Sequence, residues 1–417
     1  MKRLALMITS VAAAVGWYSE GLAEDRLLAP FITIGEEYTD NVFDTQTERR
    51  HDFITRVRPG FISNYQASRF QWNIAYNLDY RYYARNSKTN DISHEVDAKG
   101  SITLLENFFF LDLADTYKRV SLDIYRDAVV ASAFANQTDQ NIATVNPWLL
   151  WHPTDRTTLK TGYRYNDIRY WDASGIAKQI HSAHADMTYE LTPKVNLLAN
   201  YLYSHQESVD NRRYDKHDAS GGFRYNYADT SFLYANLGYT WQYFSDRTSS
   251  RYLFWNAGLK HDFGYFIATL ESKRQITEDP LAHSTRETSY QAKLDKTFDR
   301  SAIGLFGGYT DYDYIDRAPG YTGGRHKTVV GLTGRYDIGE HLALNATLSG
   351  EHYNSYRTPF SGNRPYRLVA LIGLSWQIMN DLALNVSYTH ISNQRQLDST
   401  DGVWTTNRAV IELKKTF

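Results

Sequence analysis

The chain has 417 residues, a formal net charge of −2 and a mean hydropathy of −0.52, with 33 Tyr, 19 Phe and 9 Trp but no Cys. The near-neutral charge argues against a dedicated nucleic-acid binder, and the lack of Cys excludes disulfides, thiolate metal sites and covalently attached c-type haem. Beyond the N-terminus no run of about 18 apolar residues occurs, which excludes a helical membrane protein.

The N-terminus has the three parts of a secretory signal. Lys2 and Arg3 supply the positive region, residues 4–15 the apolar stretch, and Gly21-Leu22-Ala23 a small-x-small cleavage site. A membrane anchor is the alternative, but the apolar stretch is too short to span a bilayer as a helix. We therefore expect residues 1–23 to be a cleaved signal peptide and residues 24–417 to form one domain with a net charge of −3.

Long alternating segments predict strands that separate an apolar face from a polar one. Residues 70–82 alternate strictly, and the same rhythm recurs at 231–243, 367–377 and 382–389. Soluble strands average about five or six residues, whereas a tilted strand that crosses a hydrocarbon layer needs about 9–11. In the first segment we expect Trp72, Ile74, Tyr76 and Leu78 to face lipid and Asn73, Asn77 and Asp79 to face the interior.

Tight turns alternate with longer polar loops along the whole chain. The turns fall near residues 66–67, 106, 153–155, 192–193, 229, 263–264, 299–300, 339–340 and 380–381. The loops lie around residues 39–50, 84–91, 122–138, 172–178, 208–213, 245–250, 277–284, 317–325, 357–364 and 397–402. This pattern predicts an all-β fold, a closed antiparallel transmembrane β-barrel of about 20 strands (18–22), with short periplasmic turns, longer extracellular loops and both termini periplasmic.

The C-terminus supports a place in the outer membrane of a Gram-negative bacterium. Ala409, Ile411, Leu413 and Phe417 share one face of the last alternating segment. A terminal Phe in this setting resembles the sorting signal by which outer-membrane barrels are recognised for insertion, although Lys415 departs from that pattern. The resemblance implies outer-membrane lipid and the barrel-assembly machinery as partners. A soluble sandwich array or propeller has a similar composition, but no motif recurs at the period those folds require.

The opening of the mature chain resembles a family. The segments are Glu-Glu-Tyr-Thr-Asp-Asn-Val-Phe at 36–43, Asp-Phe-Ile-Thr at 52–55 and Pro59-Gly60. They are similar to the opening of the β-barrel porins of the "porin 2" type, which are often associated with exopolysaccharide or capsule systems. The resemblance implies a transport or export barrel and brings no catalytic residue. A second interpretation is a strand end that turns into a loop stabilised by Asp40 and Asn41.

Charged residues on the face opposite the apolar one are candidates for lining the lumen, because a charge toward lipid is costly near the midplane. They are Arg56, Arg58, Asp79, Arg81, Asp97, Lys99, Lys160, Arg164, Asp186, Arg224, Glu271, Lys273, Lys293, Asp295, Arg335, Glu351, Arg367, Arg408 and Glu412. These inward charges could form a mesh of salt bridges that stiffens the wall, or they could line a hydrated channel. The two interpretations are compatible with each other. About twenty strands enclose more space than wall side chains fill. The mixed signs argue against a steep ion preference.

Two further features bear on the interior. Trp148, Phe232, Tyr234, Phe254 and Phe306 are out of phase with the lipid face, so they either stack against sugars in the channel or lie at strand ends or in a partial plug. The loop at 122–138 is the longest and least polar, and it either folds inward as a constriction or caps the barrel on the outside.

No catalytic, cofactor or metal site is predicted. Neither a His-Glu-x-x-His motif nor a Gly-x-Ser-x-Gly motif nor a phosphate loop occurs. Two pairs could be proposed as catalytic partners, His184 with Asp186 and Ser204 with His205. In a chain with this many Asp, Ser and His residues, such pairs are expected by chance. His181 and His184 fall on opposite faces of a strand, which argues against shared metal binding.

The sequence thus favours a hydrated pore for small hydrophilic solutes or glycans. The alternatives are a conduit that exports exopolysaccharide together with polysaccharide-export components, and a non-conducting barrel that sheathes a partner such as an electron-transfer protein.

Overall fold

A computed structural model describes residues 27–121, 137–171, 175–317, 325–355, 366–394 and 402–417. The predicted signal peptide lies outside the described residues, as do positions 122–136 of the loop predicted to constrict or cap the barrel. No helix long and apolar enough to cross a membrane occurs in the described part of the chain.

The described residues form twenty β-strands of 11 to 18 residues each. The first ten are β1 (Ala29–Thr39), β2 (Asp52–Gln66), β3 (Phe70–Tyr83), β4 (Asp91–Leu105), β5 (Phe109–Ser121), β6 (Gln137–Thr154), β7 (Thr157–Tyr170), β8 (Lys178–Thr192), β9 (Val195–Ser208) and β10 (Arg213–Asn226). The others are β11 (Phe232–Phe244), β12 (Ser249–Asp262), β13 (Ile267–Thr277), β14 (Ala282–Thr297), β15 (Ser301–Arg317), β16 (Arg325–Asp337), β17 (Leu342–Ser355), β18 (Tyr366–Met379), β19 (Leu382–Gln394) and β20 (Trp404–Thr416).

Each strand pairs antiparallel with the next, and β1 pairs with both β2 and β20. This last pairing closes the sheet, so no strand at either end of the chain is left with an open edge. The predicted closed antiparallel barrel of about 20 strands is therefore confirmed. The backbone amide of Phe417 donates to the carbonyl oxygen of Pro30 at 2.8 Å, which fixes the C-terminus against β1.

The register separates two faces along every strand, as the period of two requires. On one face large apolar side chains are exposed, for example Ile34, Leu237 and Ile372. On the other face lie buried polar groups such as Glu37 and Asp79. The first face is outward and the second inward. The register of β3 puts Ile74 outward and Asn73 inward, as the alternation predicts.

Connections differ between the two ends of the barrel. At the end that carries Leu27, the first described residue, and Phe417, they span two to five residues, and at the other end they span four to fifteen. The predicted order of tight turns and longer loops is confirmed. We call the rim with the longer connections the long-loop mouth. The assignment of this mouth to the cell exterior stays a prediction.

The wall separates locally at the long-loop mouth. The pairing of β12 with β13 runs from Asp262 and Ile267 to Trp255 and Arg274 and ends there. Residues 249–254 of β12 pair with β11 but have no partner on β13 in the described structure. The upper parts of β13 and β14 stay paired with each other, and β14 stays paired with β15 as far as Ala282 and Arg317, so the wall opens between β12 and β13.

Candidate functional site: the inner face and the long-loop mouth

The seam where the barrel closes carries a network of charges on the inner face. Register positions on β20, β1, β2 and β3 bring seven side chains together. They form the pairs Arg408–Glu37 at 2.9 Å, Arg56–Asp79 at 2.8 Å, Arg81–Asp79 at 2.7 Å and Arg58–Glu412 at 2.6 Å, with Arg56 also 3.8 Å from Glu37 and 3.6 Å from Glu412. We call these seven residues the seam network.

The seam network crosses the junction between β1 and β20, which closes the sheet. Glu37 on β1 is fully buried, and it faces Arg408 on β20 and Arg56 on β2. A buried carboxylate is tolerated when cations compensate it, and removal of one member leaves a charge without its partner. The network therefore joins β20 to β1 through side chains in addition to backbone hydrogen bonds.

The register places all nineteen sequence-predicted lumen residues on the inner face. Outside the seam, several are exposed to the interior. Lys99 lies 3.0 Å from Asp97, Lys293 lies 3.0 Å from Asp295, and Lys273 lies 3.2 Å from Glu287. The inner wall therefore combines ion pairing with exposed charge of both signs, which fits the mesh and the channel interpretations together.

A second ion group lies on β16–β18. Glu351 is 3.7 Å from Arg367 and 3.9 Å from Lys327, and it accepts a hydrogen bond from the hydroxyl of Tyr353. Two further predicted cations contact aromatic rings, Lys160 above Trp148 at 3.9 Å and Arg224 above Phe232 at 4.1 Å.

The predicted inner aromatic residues lie against the wall. Phe254 covers Gly238 of the neighbouring strand, Tyr234 covers Gly258, and Phe306 covers Gly331. A side chain at any of these glycines would meet the ring. The glycines thus let the rings lie over the sheet, which is the arrangement that compensates glycine in strands. The rings face inward as expected, and contact with sugars stays a prediction.

A segment at the long-loop mouth crosses the inner face. We call residues 278–283, which join β13 to β14 and begin β14, the strap. Glu278 accepts hydrogen bonds from Tyr170 of β7 and Lys178 of β8, both at 2.7 Å. The amide of Ile176 donates to the carbonyl oxygen of Pro280 at 2.8 Å. Because β7 and β8 are not neighbours of β13 in the sheet, the strap passes over the inner sides of β9 to β12.

The far end of the strap is held by polar contacts. Gln206 of β9 donates to the carbonyl oxygen of His283 at 3.2 Å, and the ring of His283 lies 3.1 Å from Ser208 and 2.9 Å from Asp210. On the inner face of β11, Gln242 and Thr240 are buried. A polar interface of this kind is less costly to open than an apolar one, because its groups regain hydrogen bonds in water.

Asp279 lies within the strap connection and is almost fully buried. Burial raises the pKa of its carboxyl, although the carboxylate accepts hydrogen bonds from the amide of Leu281 at 2.9 Å and from Thr285 at 2.9 Å. These bonds hold the tight turn at the tip of the hairpin.

The first long loop, residues 40–51, also folds against the inner face. Asp44 accepts hydrogen bonds from Asn393 of β19 at 2.9 Å and Thr406 of β20 at 2.8 Å. The amide of Thr45 donates to Asn41 Oδ1 at 3.1 Å and the amide of Asn407 donates to Asp40 at 2.7 Å. The expectation that Asp40 and Asn41 stabilise the turn is confirmed.

Of the two possible catalytic pairs, one has both side chains on the same face of the sheet and the other does not. His184 and Asp186 share the inner face at 3.0 Å. Ser204 faces inward and lies 3.0 Å from Ser182, whereas His205 faces outward and lies 2.9 Å from Asp215. The Ser204–His205 pairing is therefore wrong, because adjacent residues of a strand point to opposite faces.

Solved structures share this architecture. The chain is similar to the apoprotein form of the FrpB iron transporter from Neisseria meningitidis, with a TM-score of 0.56 at 10% identity over 94% of this chain and 82% of that one. It is also similar to the ferric enterobactin receptor PfeA from Pseudomonas aeruginosa, with a TM-score of 0.53 at 9% identity over 94% and 81%. The ferric-catecholate import receptor Fiu from E. coli K12 gives 0.52 at 8% identity over 93% and 81%.

The similarity between this chain and those solved structures is a similarity of fold. Identities of this size carry no residue-level correspondence, so the cargo of those proteins is not transferred to this chain. No family model matches the sequence. No curated protein matches it either. The resemblance to the "porin 2" type stays a prediction.

Proposed function

We propose that this protein is an outer-membrane barrel that forms a water-filled channel for small hydrophilic solutes. The observation that carries the proposal is the division of the wall into an apolar outer face and a charged inner face. Exposed inner charges such as Lys99, Lys293 and Arg335 are solvated only if water occupies the interior. An outer-membrane location is further supported by the shared fold with proteins described as transporters and import receptors.

The long-loop mouth sets the size of solute that enters. Loop 40–51 and the strap both extend over the inner face from this rim. Hydrogen bonds and ion pairs hold both segments against the wall, so the mouth stays polar. Charges of both signs line the inner wall below them. The channel is therefore expected to exclude bulky solutes and to distinguish weakly between anions and cations.

Glycan export with polysaccharide-export components is the second candidate. It rests on the resemblance of residues 36–60 to the "porin 2" type and on the inward rings of Phe254, Phe306 and Tyr234. A sheath around an electron-transfer partner is the third.

The purified barrel should conduct ions across a planar bilayer with weak selectivity. Reversal of two exposed inner cations, Lys99→Glu and Lys293→Glu, should shift the selectivity toward cations, because the local potential becomes more negative. These residues are better targets than Arg56 and Arg58, whose side chains are largely buried in the seam network. Lys296→Glu lies on the outward face of the same strand as Lys293 and is the matched control, with no shift expected.

A strap variant distinguishes an open pore from a partner-gated conduit. Lys178→Ala removes the cation that Glu278 binds and should loosen the strap. A wild-type barrel that conducts, with higher conductance in this variant, supports the channel. A barrel that is closed until the strap is loosened favours gated export. The absence of conduction from both forms in repeated insertions would contradict the proposal and favour the sheath.

A further inference from the structure

The outer surface of β12 to β15 has a groove directly below the place where β12 and β13 separate. The groove has a volume of about 580 Å³. Its floor contains Ala257, Ala292 and Gly307, and its sides include Leu270 and Tyr290, which are about half exposed. Small residues leave a depression in a lipid-facing wall that larger side chains would otherwise fill. The depression is open along its length to an acyl chain.

A cation lies at the upper end of this groove. Arg274 is two residues beyond Ser272 on the same outward face of β13, and its guanidinium lies 5.4 Å from the ring centre of Trp255. The indole of Trp255 donates to Ser272 Oγ at 2.8 Å, which fixes the ring beneath the guanidinium. The Nε of Arg274 is buried and has no hydrogen-bond partner among the described residues.

A buried donor atom without a partner is unfavourable even on a half-buried side chain such as Arg274, so an acceptor from outside the chain is expected at its Nε. Arg286 of β14 lies 5.3 Å from the ring centre of Tyr252, an inner-face residue of β12, and pairs with Asp313 of β15. Arg286 and Asp313 both act electrostatically on Arg274, and these two are already paired with each other.

We propose that this region binds one phosphate-bearing lipid. The phosphate accepts hydrogen bonds from Arg274, and one acyl chain fills the groove over Ala257, Ala292 and Gly307. A phosphate suits the site because guanidinium groups bind oxyanions with charge-assisted hydrogen bonds. Arg274 lies close to the long-loop mouth, where the headgroups of a bilayer meet the barrel, and the groove extends from it toward the middle of the wall.

Native mass spectrometry of the detergent-purified barrel tests the site. We expect one retained adduct when dioleoyl phosphatidylglycerol is added. Arg274→Gln should weaken its binding by about tenfold, because a charge-assisted hydrogen bond is lost. Gly307→Leu should do the same by filling the groove. A Cβ at Gly307 meets its nearest atoms at 3.7 and 4.0 Å, which is ordinary contact, so the barrel should fold normally.

Two matched variants serve as controls. Arg169→Gln removes an outward Arg of β7 that is distant from the groove, and Gly350→Leu adds an outward side chain on β17 where nothing lies within 4 Å. Neither should change adduct formation. Dioleoylglycerol, which lacks phosphate, and inorganic phosphate, which lacks chains, should both bind far more weakly than the intact lipid.

The proposal is overturned if the four variants behave alike, or if either partial ligand binds as well as phosphatidylglycerol. It is also overturned if the wild-type barrel appears as a dimer that Gly307→Leu dissociates, because the groove would then be a contact between two copies. These outcomes do not depend on conduction, so failure here is distinguishable from failure of the proposed channel.

Discussion

Replacement of Ile74 by Arg should destabilise the barrel by about 2–4 kcal/mol, because the side chain faces lipid near the middle of the apolar band. On the outward face of β3, Ile74 lies midway between Phe70, beside the short turn, and Leu78, which is opposite His94 of β4. His94 is hydrogen-bonded to the hydroxyl of Tyr76 at 2.9 Å on the same face. The free energy of unfolding, measured by urea titration of the barrel in lipid vesicles, gives the cost.

Asn73→Arg is the matched control for this experiment. Asn73 is adjacent in sequence but faces the interior, where its amide donates to Asn64 of β2. An Arg there remains in contact with water, so we expect a change below about 1 kcal/mol, the loss of one neutral hydrogen bond. Similar costs at both positions would show that the register of β3 is wrong or that the outer face does not contact lipid.

Removal of the buried carboxylate of the seam network should have the second large effect. Glu37→Ala removes the buried carboxylate that lies between Arg408 and Arg56. The loss of one member of such a buried charged group costs about 3–5 kcal/mol. Because Glu37 lies on β1 and Arg408 on β20, the variant should separate first at the closing seam. Urea unfolding and the resistance of the folded barrel to SDS both report this loss.

Glu36→Ala separates the role of the network from that of the strand. Glu36 faces outward on β1 and is hydrogen-bonded to the hydroxyl of Thr55 at 2.6 Å, away from the arginines. We expect a change of about 1 kcal/mol or less for this exposed contact. If Glu36→Ala proved as damaging as Glu37→Ala, the network would not be the feature that stabilises the seam.

The barrel fold could be predicted from the sequence because it depends on a pattern of neighbouring residues within each strand. A strand between lipid and water must alternate with a period of two, and that pattern is visible within single segments such as residues 70–82. Lys99, Lys293 and Arg335 could be assigned to the inner face for the same reason. The tight turns could be located because glycine, proline, Asn and Asp mark them.

The strap could not be predicted from the sequence. Glu278 and Lys178 are 100 residues apart, and each is an unremarkable charge in a polar loop or at a strand end. The sequence also does not show that the pairing of β12 with β13 stops at Trp255 and Arg274, because both residues continue the alternation of their strands. The inward loop 40–51 was signalled in part by Asp40 and Asn41, but its attachment through Asp44 to β19 and β20 depends on how the barrel closes.

Accessibility of single cysteines along β3 tests the central claim most directly, because the natural chain has no Cys to interfere. Cysteines would be placed one at a time at positions 72 to 78 in the barrel reconstituted in lipid vesicles and treated with a charged, membrane-impermeant thiol reagent. Positions 73, 75 and 77 should react, because they face a water-filled interior, and positions 72, 74, 76 and 78 should not, because they face lipid. Reaction at all seven positions would contradict a membrane-spanning wall, and protection of the odd positions would contradict a water-filled channel.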